Sequence, residues 1–316
     1  MDPFTCFAQN YEDVILWRAL KQVKDGFYVD CGAYSPTSHS VTKAFYDRGW
    51  RGINIEPVPH LLRSFEGERP GDINLNVALS DHAGGATFYE IADTGLSTFS
   101  PETMRQHVEA GFVARNITVR TASLSEILAQ HAAQEIHFLK IDVEGAERLV
   151  LEGLDLESFR PWIVLVEAVR PRTQEPTHLD WEPLLLSQGY DFAYFDGLNR
   201  FYVAHEHRDL GATLALPPSI FDNFVLIDHV NDLNDARLQL AAMRASSSWR
   251  VTAPLRAAMR ALHTLKHDFP HRFFVRLGRT VLQRRASSLS WISQLFQIHA
   301  RHASGPVHRS FCPGKT

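Results

Sequence analysis

The chain has 316 residues, 45% of them hydrophobic, and a formal net charge of −4. This length and composition suit one large or two modest folded domains with packed cores. The three cysteines, Cys6, Cys31 and Cys312, are too few and too scattered for a disulfide framework or a zinc site. The sequence has neither a signal-peptide pattern nor a membrane-length apolar run, so we expect a cytoplasmic protein.

The first informative stretch is FYVDCGAYSPTSHSVTKAFYDRGWRGINIEP, which begins at Phe27. FYVDC and GINIEP alternate in bulk as strands do, and each ends on or near an acidic residue. The segment SVTKAFYDRGW between them has helical spacing of apolar residues, and Ser38 or Ser40 can cap its start. The stretch therefore predicts one βαβ unit.

The ends of these two strands predict a nucleotide site. Gly32 follows the first strand and lets the backbone approach a ligand, whereas Glu56 ends the second strand, where we expect an exposed carboxylate that accepts both ribose hydroxyls. The turn lacks the G-x-G-x-x-G pattern of dinucleotide folds, and Asp30 beside it would repel a pyrophosphate. A cationic sulfonium ligand suits this turn better, which favours S-adenosylmethionine over NAD. The alternative is that Gly32 and Glu56 are ordinary turn residues of an α/β protein.

Further elements follow in the order expected of an α/β domain. The segments INLNVALS (residues 73–80) and ATFYEI predict strands, and Ser123 with Glu126 forms a capping box that begins a helix. IHFLKIDVEGAE predicts a buried strand that leads into Asp142 and Glu144. PWIVLVEAVRP predicts a strand that ends in Glu167, and YDFAYF with RFYVA predicts a closing hairpin.

Acidic residues thus recur at strand ends. The carboxyl ends of parallel strands meet at one edge of a sheet, where the ligand crevice of an open α/β sheet lies, so we expect Asp30, Glu56, Asp142 and Glu144 to converge there. Four carboxylates on one edge are unfavourable unless a cation or hydrogen-bond donors lie among them.

The charge of the chain divides sharply near residue 228. Residues 229–316 contain fourteen Lys and Arg against three acidic residues, a balance of +11, which leaves −15 for residues 1–228. We therefore predict a domain at 1–228 and a basic helical tail at 229–316, with disorder from Gly305 onward. The tail is expected to contact an anionic membrane surface or a partner, or to form a solvated helical extension.

Several of these motifs together resemble one known family. QNYEDV, the stretch from Phe27, NLNVALSD, FLKIDVEGAE and FDGLNRFYVA are similar to the FkbM-type methyltransferases, over about residues 7–225. The resemblance implies a class I enzyme that uses S-adenosylmethionine to O-methylate sugars and other natural products. It also implies a Rossmann-like, mostly parallel sheet of seven strands with a C-terminal antiparallel hairpin.

The resemblance also implies roles for particular residues. Asp30 and Gly32 lie in the cofactor turn, Glu56 binds the ribose and Asp142 lies on the substrate side of the sheet. The further expected contacts to the cofactor come from three positions next to strand ends, Ala33, Pro57 and Ser80.

Methyl transfer to a hydroxyl needs alignment of the reactants and a group that accepts the hydroxyl proton. Asp142 is the first candidate for this base, and Glu144 and His39 are alternatives. His39 is one of sixteen histidines and lies beside a predicted helix start, so a capping or surface role competes with catalysis. Asp142 and Glu144 could also hold a divalent cation, but two carboxylates do not specify a metal.

The expected partner is a sugar or glycan acceptor, and no nucleic acid is expected. SSSWRVTAPLR in the tail is similar to a segment at the ends of bacterial glycosyltransferases of polysaccharide assembly, which suggests an envelope-glycan pathway and contact with such a glycosyltransferase or with the inner face of the membrane. Two other functions stay open. They are an NAD-dependent oxidoreductase on the same fold, which the missing glycines disfavour, and a non-catalytic scaffold.

Overall fold

A computed structural model describes residues 3–92, 94–132 and 134–268 of the chain. Its strands are β1 (Phe4–Cys6), β2 (Phe27–Cys31), β3 (Arg51–Ile55), β4 (Ile73–Leu75), β5 (Ala78–Leu79), β6 (Gly84–Ile91), β7 (Ala114–Ala122), β8 (Phe138–Ile141), β9 (Ile163–Glu167), β10 (Tyr190–Phe195), β11 (Asn199–Ala204) and β12 (Phe224–Leu226). Its α-helices are α1 (Glu12–Leu20), α2 (Lys43–Tyr46), α3 (Pro59–Glu68), α4 (Pro101–Glu109), α5 (Leu124–His131), α6 (Glu147–Glu152), α7 (Glu182–Leu186), α8 (Gly211–Leu214), α9 (Ile227–Ala245), α10 (Ser247–Val251) and α11 (Ala253–Asp268). Short 3-10 helices lie at His178–Asp180, His205–Leu210 and Ile220–Asp222.

The central sheet has the strand order β10-β11-β9-β8-β2-β3-β4. Neighbouring strands from β9 to β4 run parallel, and β11 is antiparallel to both β9 and β10. The predicted mixed α/β architecture with a mostly parallel sheet is therefore confirmed.

The order of the strands defines where a ligand can bind. From β2 the chain adds β3 and then β4 on one side, and it later adds β8 and β9 on the other side. The strand order therefore reverses between β2 and β8. In open α/β sheets ligands bind in the crevice at the carboxyl ends of the strands that flank this switch point.

Apolar side chains cover both faces of the sheet. Val29 of β2 and Leu139 of β8 pack with residues of α5, α6 and α7 on one face. Tyr28 and Phe138, one residue earlier in each strand, pack with α1 and α2 on the other face. This alternation buries the central parallel strands on both sides, as parallel sheets require.

The segment between β2 and β3 is less helical than the sequence predicts, because α2 is a single turn. The hydroxyl of Ser40 accepts a hydrogen bond from the backbone N–H of Lys43 and caps that turn. Thr42 lies just before the turn, but its hydroxyl donates a hydrogen bond to Asp30 and does not cap the helix. Gly49, with φ of 93°, follows shortly after and turns the chain toward β3.

The predicted strand at residues 73–80 is divided between two sheets. Ile73–Leu75 joins the central sheet as β4, whereas β5 pairs with β7 in a separate sheet of order β5-β7-β6. Between them the side chain of Asn76 donates to the carbonyl oxygens of Glu56 and Pro57, both at 2.9 Å. These bonds hold the chain against the end of β3 and break the strand.

The chain separates into a compact unit at Met1–Asn234 and a second unit that begins at Asp235. The predicted domain boundary at residue 228 stays a prediction. In the second unit α10 and α11 expose apolar side chains such as Val251 and Leu255, and contact of the tail with a membrane surface or a glycosyltransferase stays a prediction as well. No helix within the described residues is long and apolar enough to cross a membrane. The expected disorder from Gly305 concerns residues outside the described ranges.

Gly32 sets how closely the ends of β2 and β8 approach each other. Its φ is 77°, and a Cβ atom placed on it would lie 1.8 Å from the carbonyl oxygen of Asp142. Both the left-handed conformation and the close approach therefore require glycine.

We expect Gly32→Ala to reduce the free energy of unfolding well beyond the matched variant Gly49→Ala. Gly49 also has a positive φ, but nothing lies within 4 Å of its Cβ position. Conformational strain alone should therefore remove about 1–2 kcal/mol at Gly49, and the additional clash at Gly32 should remove about 1–3 kcal/mol more. Urea denaturation of both variants measures the difference, and equal losses would contradict the close approach.

Candidate functional site

A cavity of about 360 Å³ opens at the carboxyl edge of the sheet, beside the switch point. This volume lies within the range of small-molecule sites. Most of the residues predicted from the sequence line it together, namely Asp30, Gly32, Ala33, His39, Glu56, Pro57, Asp142 and Glu144. Their roles toward a cofactor or substrate stay predictions.

The expectation that Glu56 is an exposed carboxylate is wrong, because its side chain is buried and 5% exposed. One carboxylate oxygen accepts a hydrogen bond from the backbone N–H of Tyr34 at 2.9 Å, and the other accepts from Val58 at 2.8 Å. Burial raises the pKa of Glu56 to about 7, although these two hydrogen bonds and Lys140 act in the opposite direction. The carboxylate is therefore fixed in place at the cavity wall and titrates near neutral pH.

Lys140 supplies the cation that the acidic edge requires. Its ammonium nitrogen lies 3.3 Å from Oδ1 of Asp30 and 3.2 Å from Oδ2 of Asp142. Burial by itself would lower the pKa of Lys140, but the two carboxylates outweigh burial and raise it. Lys140 is thus a buried ammonium ion shared between two acids, one at the end of each strand beside the switch point.

Asp30 has its ionic partner inside the protein. Asp30 is 1% exposed and also accepts a hydrogen bond from Thr42 at 3.1 Å. Its charge is already balanced inside the protein, whereas Asp142 keeps about a third of its side chain exposed, at 35%. Of these two carboxylates, Asp142 is the one that is accessible to a ligand in the cavity.

A cluster of carboxylates lies next to Lys140. One oxygen each from Asp142, Glu144 and Glu167 lies within 4.8 Å of the others. Burial raises the pKa of Glu144 and of Glu167 well above the usual range, and the nearby negative charge of Asp142 raises both further. The end of β9 therefore adds a carboxylate that the sequence analysis noted at a strand end but did not place in the site.

His39 and Ser80 differ from the other predicted residues. His39 is exposed and has a φ of 55°, and its backbone pairs with Ala8 at the mouth of the cavity. Ser80 does not line the cavity, and its hydroxyl donates to Asp81 at 3.0 Å. Ser80 follows β5, which has left the central sheet, and this explains its different position.

Sequence reasoning missed several residues of the cavity wall. The sequence shows Lys140 as a charged residue within the otherwise apolar strand FLKI. It does not show that Lys140 pairs with Asp30 and Asp142. A loop at residues 94–97 and the rings of Phe88 and Phe99 also line the cavity. Thr98 ties this loop to the site by donating to the carbonyl oxygen of Glu144 at 2.8 Å.

A second cavity, of about 370 Å³, adjoins the first and shares Gln9 and His39 with it. Polar side chains contribute much of its wall, including Tyr11, Ser38 and Asn231. The two cavities together offer space for a small molecule at the sheet edge and for a polar molecule beside it.

Comparison with known proteins gives a family for this architecture. The family described as "Methyltransferase FkbM domain" matches residues 30–192, which is just over half of the chain. The matched segment begins at Asp30, near the end of β2, and ends in β10, so it contains the carboxyl end of β2 and the whole of β8. No curated protein matches the chain.

Among solved structures, the chain is similar to a methyltransferase FkbM from Methylobacillus flagellatus KT, solved by crystallography at 2.20 Å resolution. The two share 16% sequence identity with a TM-score of 0.35, and the alignment covers 57% of this chain and 43% of that chain. The chain therefore spans less than half the length of this neighbour. The family match over Asp30, Lys140 and Asp142 is what identifies the protein, and the chain belongs to the FkbM methyltransferase family.

Proposed function

We propose that the protein is an S-adenosylmethionine-dependent O-methyltransferase that acts on a hydroxyl of a sugar or glycan in bacterial polysaccharide biosynthesis. Membership of the FkbM family supports methyl transfer. The observation that carries the choice of cofactor is the position of Glu56, a fixed carboxylate at the end of β3 in the cavity beside the switch point. The seven-stranded order of the central sheet, with its reversal between β2 and β8, supports a Rossmann-like class I fold.

The geometry at Glu56 suits the ribose of adenosine. Each carboxylate oxygen accepts one backbone hydrogen bond and, with two lone pairs, keeps capacity for one ribose hydroxyl. Because the backbone donors already hold the carboxylate, little rotamer freedom is lost when the ligand binds. Apolar side chains of the cavity provide a surface for adenine, namely Leu61, Val77, Leu79, Phe88 and Phe99.

The adjoining cavity supports a polar acceptor. It opens past His39 and is lined by hydroxyl, amide and carboxylate groups such as those of Ser38, Asn231 and Asp228. These groups can exchange hydrogen bonds with the hydroxyls of a sugar. The similarity of SSSWRVTAPLR to segments of polysaccharide-assembly glycosyltransferases supports a glycan pathway.

The reaction needs alignment and a proton acceptor. In-line transfer from a sulfonium depends mostly on how the acceptor oxygen and the methyl carbon are positioned, a contribution of up to roughly 7–11 kcal/mol in well-oriented systems. Asp142 has an accessible carboxylate in the cavity and forms an ion pair with Lys140. It is therefore placed to accept the hydroxyl proton as the new bond forms.

Binding of S-adenosylhomocysteine should depend on pH through Glu56. With a pKa of about 7 in the free protein, the ionised fraction of Glu56 rises about tenfold between pH 6 and pH 8. Hydroxyl donors favour the ionised form, so affinity should rise by up to the same factor over this interval. Lys140 and Asp30 also face Glu56, but their opposite charges partly cancel.

Calorimetry of the wild type and of Glu56→Gln tests this dependence. The variant should bind S-adenosylhomocysteine about tenfold or more weakly at pH 8, since it loses a charge-assisted hydrogen bond, and its affinity should not change with pH. A wild-type profile that is flat, or binding of NAD in place of S-adenosylhomocysteine, would contradict the assignment of the cofactor.

Asp142→Asn should lower turnover by about 100-fold or more while the affinity for S-adenosylhomocysteine stays within about tenfold, as expected when a proton acceptor is lost. Asp155→Asn is the matched control, because Asp155 is an exposed carboxylate outside the cavity. Radiolabelled methyl transfer to a glycan acceptor gives the rates. A variant at Asp142 that retains wild-type turnover would exclude this residue as the base.

A further inference from the structure

The carboxylates of Asp142, Glu144 and Glu167 meet at the ends of two neighbouring strands. Asp142 and Glu144 follow β8, and Glu167 ends β9, which pairs with β8 in parallel. One oxygen from each residue lies within 4.8 Å of the other two. Three negative charges this close repel one another, and either a bound cation or protonation of a carboxylate relieves the repulsion.

Two of these carboxylates lack the partners that buried acids normally have. Glu167 is 9% exposed, and its carboxylate forms no hydrogen bond or ion pair within the described residues, although its oxygens are not fully buried. Oε2 of Glu144 is buried and likewise has no hydrogen-bond partner within the described part of the chain. A buried carboxylate oxygen without a partner is unfavourable, and a bound cation would give Oε2 of Glu144 the partner that it lacks.

The neighbouring Glu147 shows what a satisfied carboxylate looks like in the same region. It is 5% exposed, and Oε1 accepts hydrogen bonds from the backbone of Gly145 at 3.0 Å and of Val143 at 3.3 Å. Oδ1 of Asp30 likewise has no hydrogen bond within the described residues, but it forms an ion pair with Lys140, whereas Oε2 of Glu144 has neither kind of partner there.

Lys140 forms no ion pair with Glu144 or Glu167. Its ammonium group is already shared by Asp30 and Asp142, at 3.3 Å and 3.2 Å. No ion pair joins Glu144 or Glu167 to a cationic side chain in the described ranges of the chain. Within the described residues, the carboxyl groups of Glu144 and Glu167 are therefore left without a cationic partner at ion-pair distance.

We propose that Asp142, Glu144 and Glu167 bind one hard divalent cation, Mg²⁺ or Mn²⁺. A set of ligands made only of carboxylate oxygens suits these ions and does not suit zinc or copper, which prefer histidine and cysteine. Oxygens on opposite sides of Mg²⁺ lie about 4.1 Å apart, twice the usual bond length. Oxygens that already lie within 4.8 Å of one another need only small rotamer changes to reach that geometry.

The ion would lie next to the reacting groups. Asp142 and Glu144 line the cofactor cavity, so a cation between them has one side open to the acceptor. Mg²⁺ usually keeps several exchangeable positions, one of which an acceptor hydroxyl can take. Binding to the cation lowers the pKa of that hydroxyl and assists transfer of its proton. This catalytic role rests on the proposed function, whereas the binding site itself does not.

Binding of Mn²⁺ to the full chain tests the proposal without any cofactor or acceptor. Electron paramagnetic resonance of free Mn²⁺ should report one site with a dissociation constant below about 1 mM, and Mg²⁺ should compete for it. Glu167→Gln should weaken binding about tenfold or more because it removes a ligand. Glu147→Gln, the matched control, should change it by no more than a few-fold.

The results that would overturn the proposal are specific. The proposal is rejected if no Mn²⁺ binds at about 1 mM. It is also rejected if Glu167→Gln and Glu147→Gln weaken Mn²⁺ binding equally, because equal weakening indicates attraction by general negative charge. If Glu167→Gln does not fold, as judged by circular dichroism, Glu144→Gln replaces it with the same expectations.

Separate experiments test the proposed metal site and the proposed function. Calorimetry with S-adenosylhomocysteine alone reports on the cofactor, whereas Mn²⁺ binding alone reports on the ion. Binding of the cofactor without Mn²⁺ would reject the metal site and keep the methyltransferase. Binding of Mn²⁺ without the cofactor would keep the metal site and remove its catalytic role.

Discussion

The buried ion pairs of Lys140 hold the site together. Lys140 and Asp30 are register partners in the parallel strands β8 and β2, and both side chains are buried. Because a buried ammonium group is strongly unfavourable without a partner, the ends of the two strands are constrained to keep Asp30 and Asp142 around it. Gly32 allows the same two ends to approach at the backbone. The switch point of the sheet is thereby fixed in one geometry, and the ligand cavity opens directly beside it.

The acids around this pair have different environments and therefore different chemistry. Asp30 forms an ion pair with Lys140 inside the protein, and Glu56 is held by backbone N–H groups at the cavity wall. Asp142 stays accessible, whereas Glu144 has a buried oxygen without a hydrogen-bond partner in the described ranges. One sheet edge thus carries a fixed carboxylate, an accessible carboxylate and a carboxylate with an unpartnered oxygen among the described residues. Differences in the chemistry of these carboxylates follow from burial and neighbouring charge rather than from residue type.

The sequence predicts the positions of the strand ends well, because the buried runs FYVDC, GINIEP and FLKI are short and clearly bounded. The sequence does not predict the burial or the contacts of the side chains at those strand ends. The buried carboxylate of Glu56 accepts a hydrogen bond from the backbone N–H of Tyr34, which lies 22 residues earlier in the chain. A contact between such distant residues has no local sequence pattern. Glu167 joins the cluster because β9 lies beside β8. The order of strands in a sheet cannot be predicted from the local spacing of apolar residues. The sequence predicts Ser80 in the site because the strand break at Asn76, which side-chain bonds to Glu56 and Pro57 stabilise, has no clear local pattern.

The central claim is that the cavity beside the switch point holds the adenosine of S-adenosylmethionine. A crystal structure of the full chain with S-adenosylhomocysteine tests this most directly. The account predicts that both ribose hydroxyls lie within hydrogen-bond distance of the Glu56 carboxylate, and that the sulfur atom faces Asp142 across the cavity. Ligand density at any other position, with the Glu56 carboxylate bonded only to the backbone of Tyr34 and Val58, would contradict it.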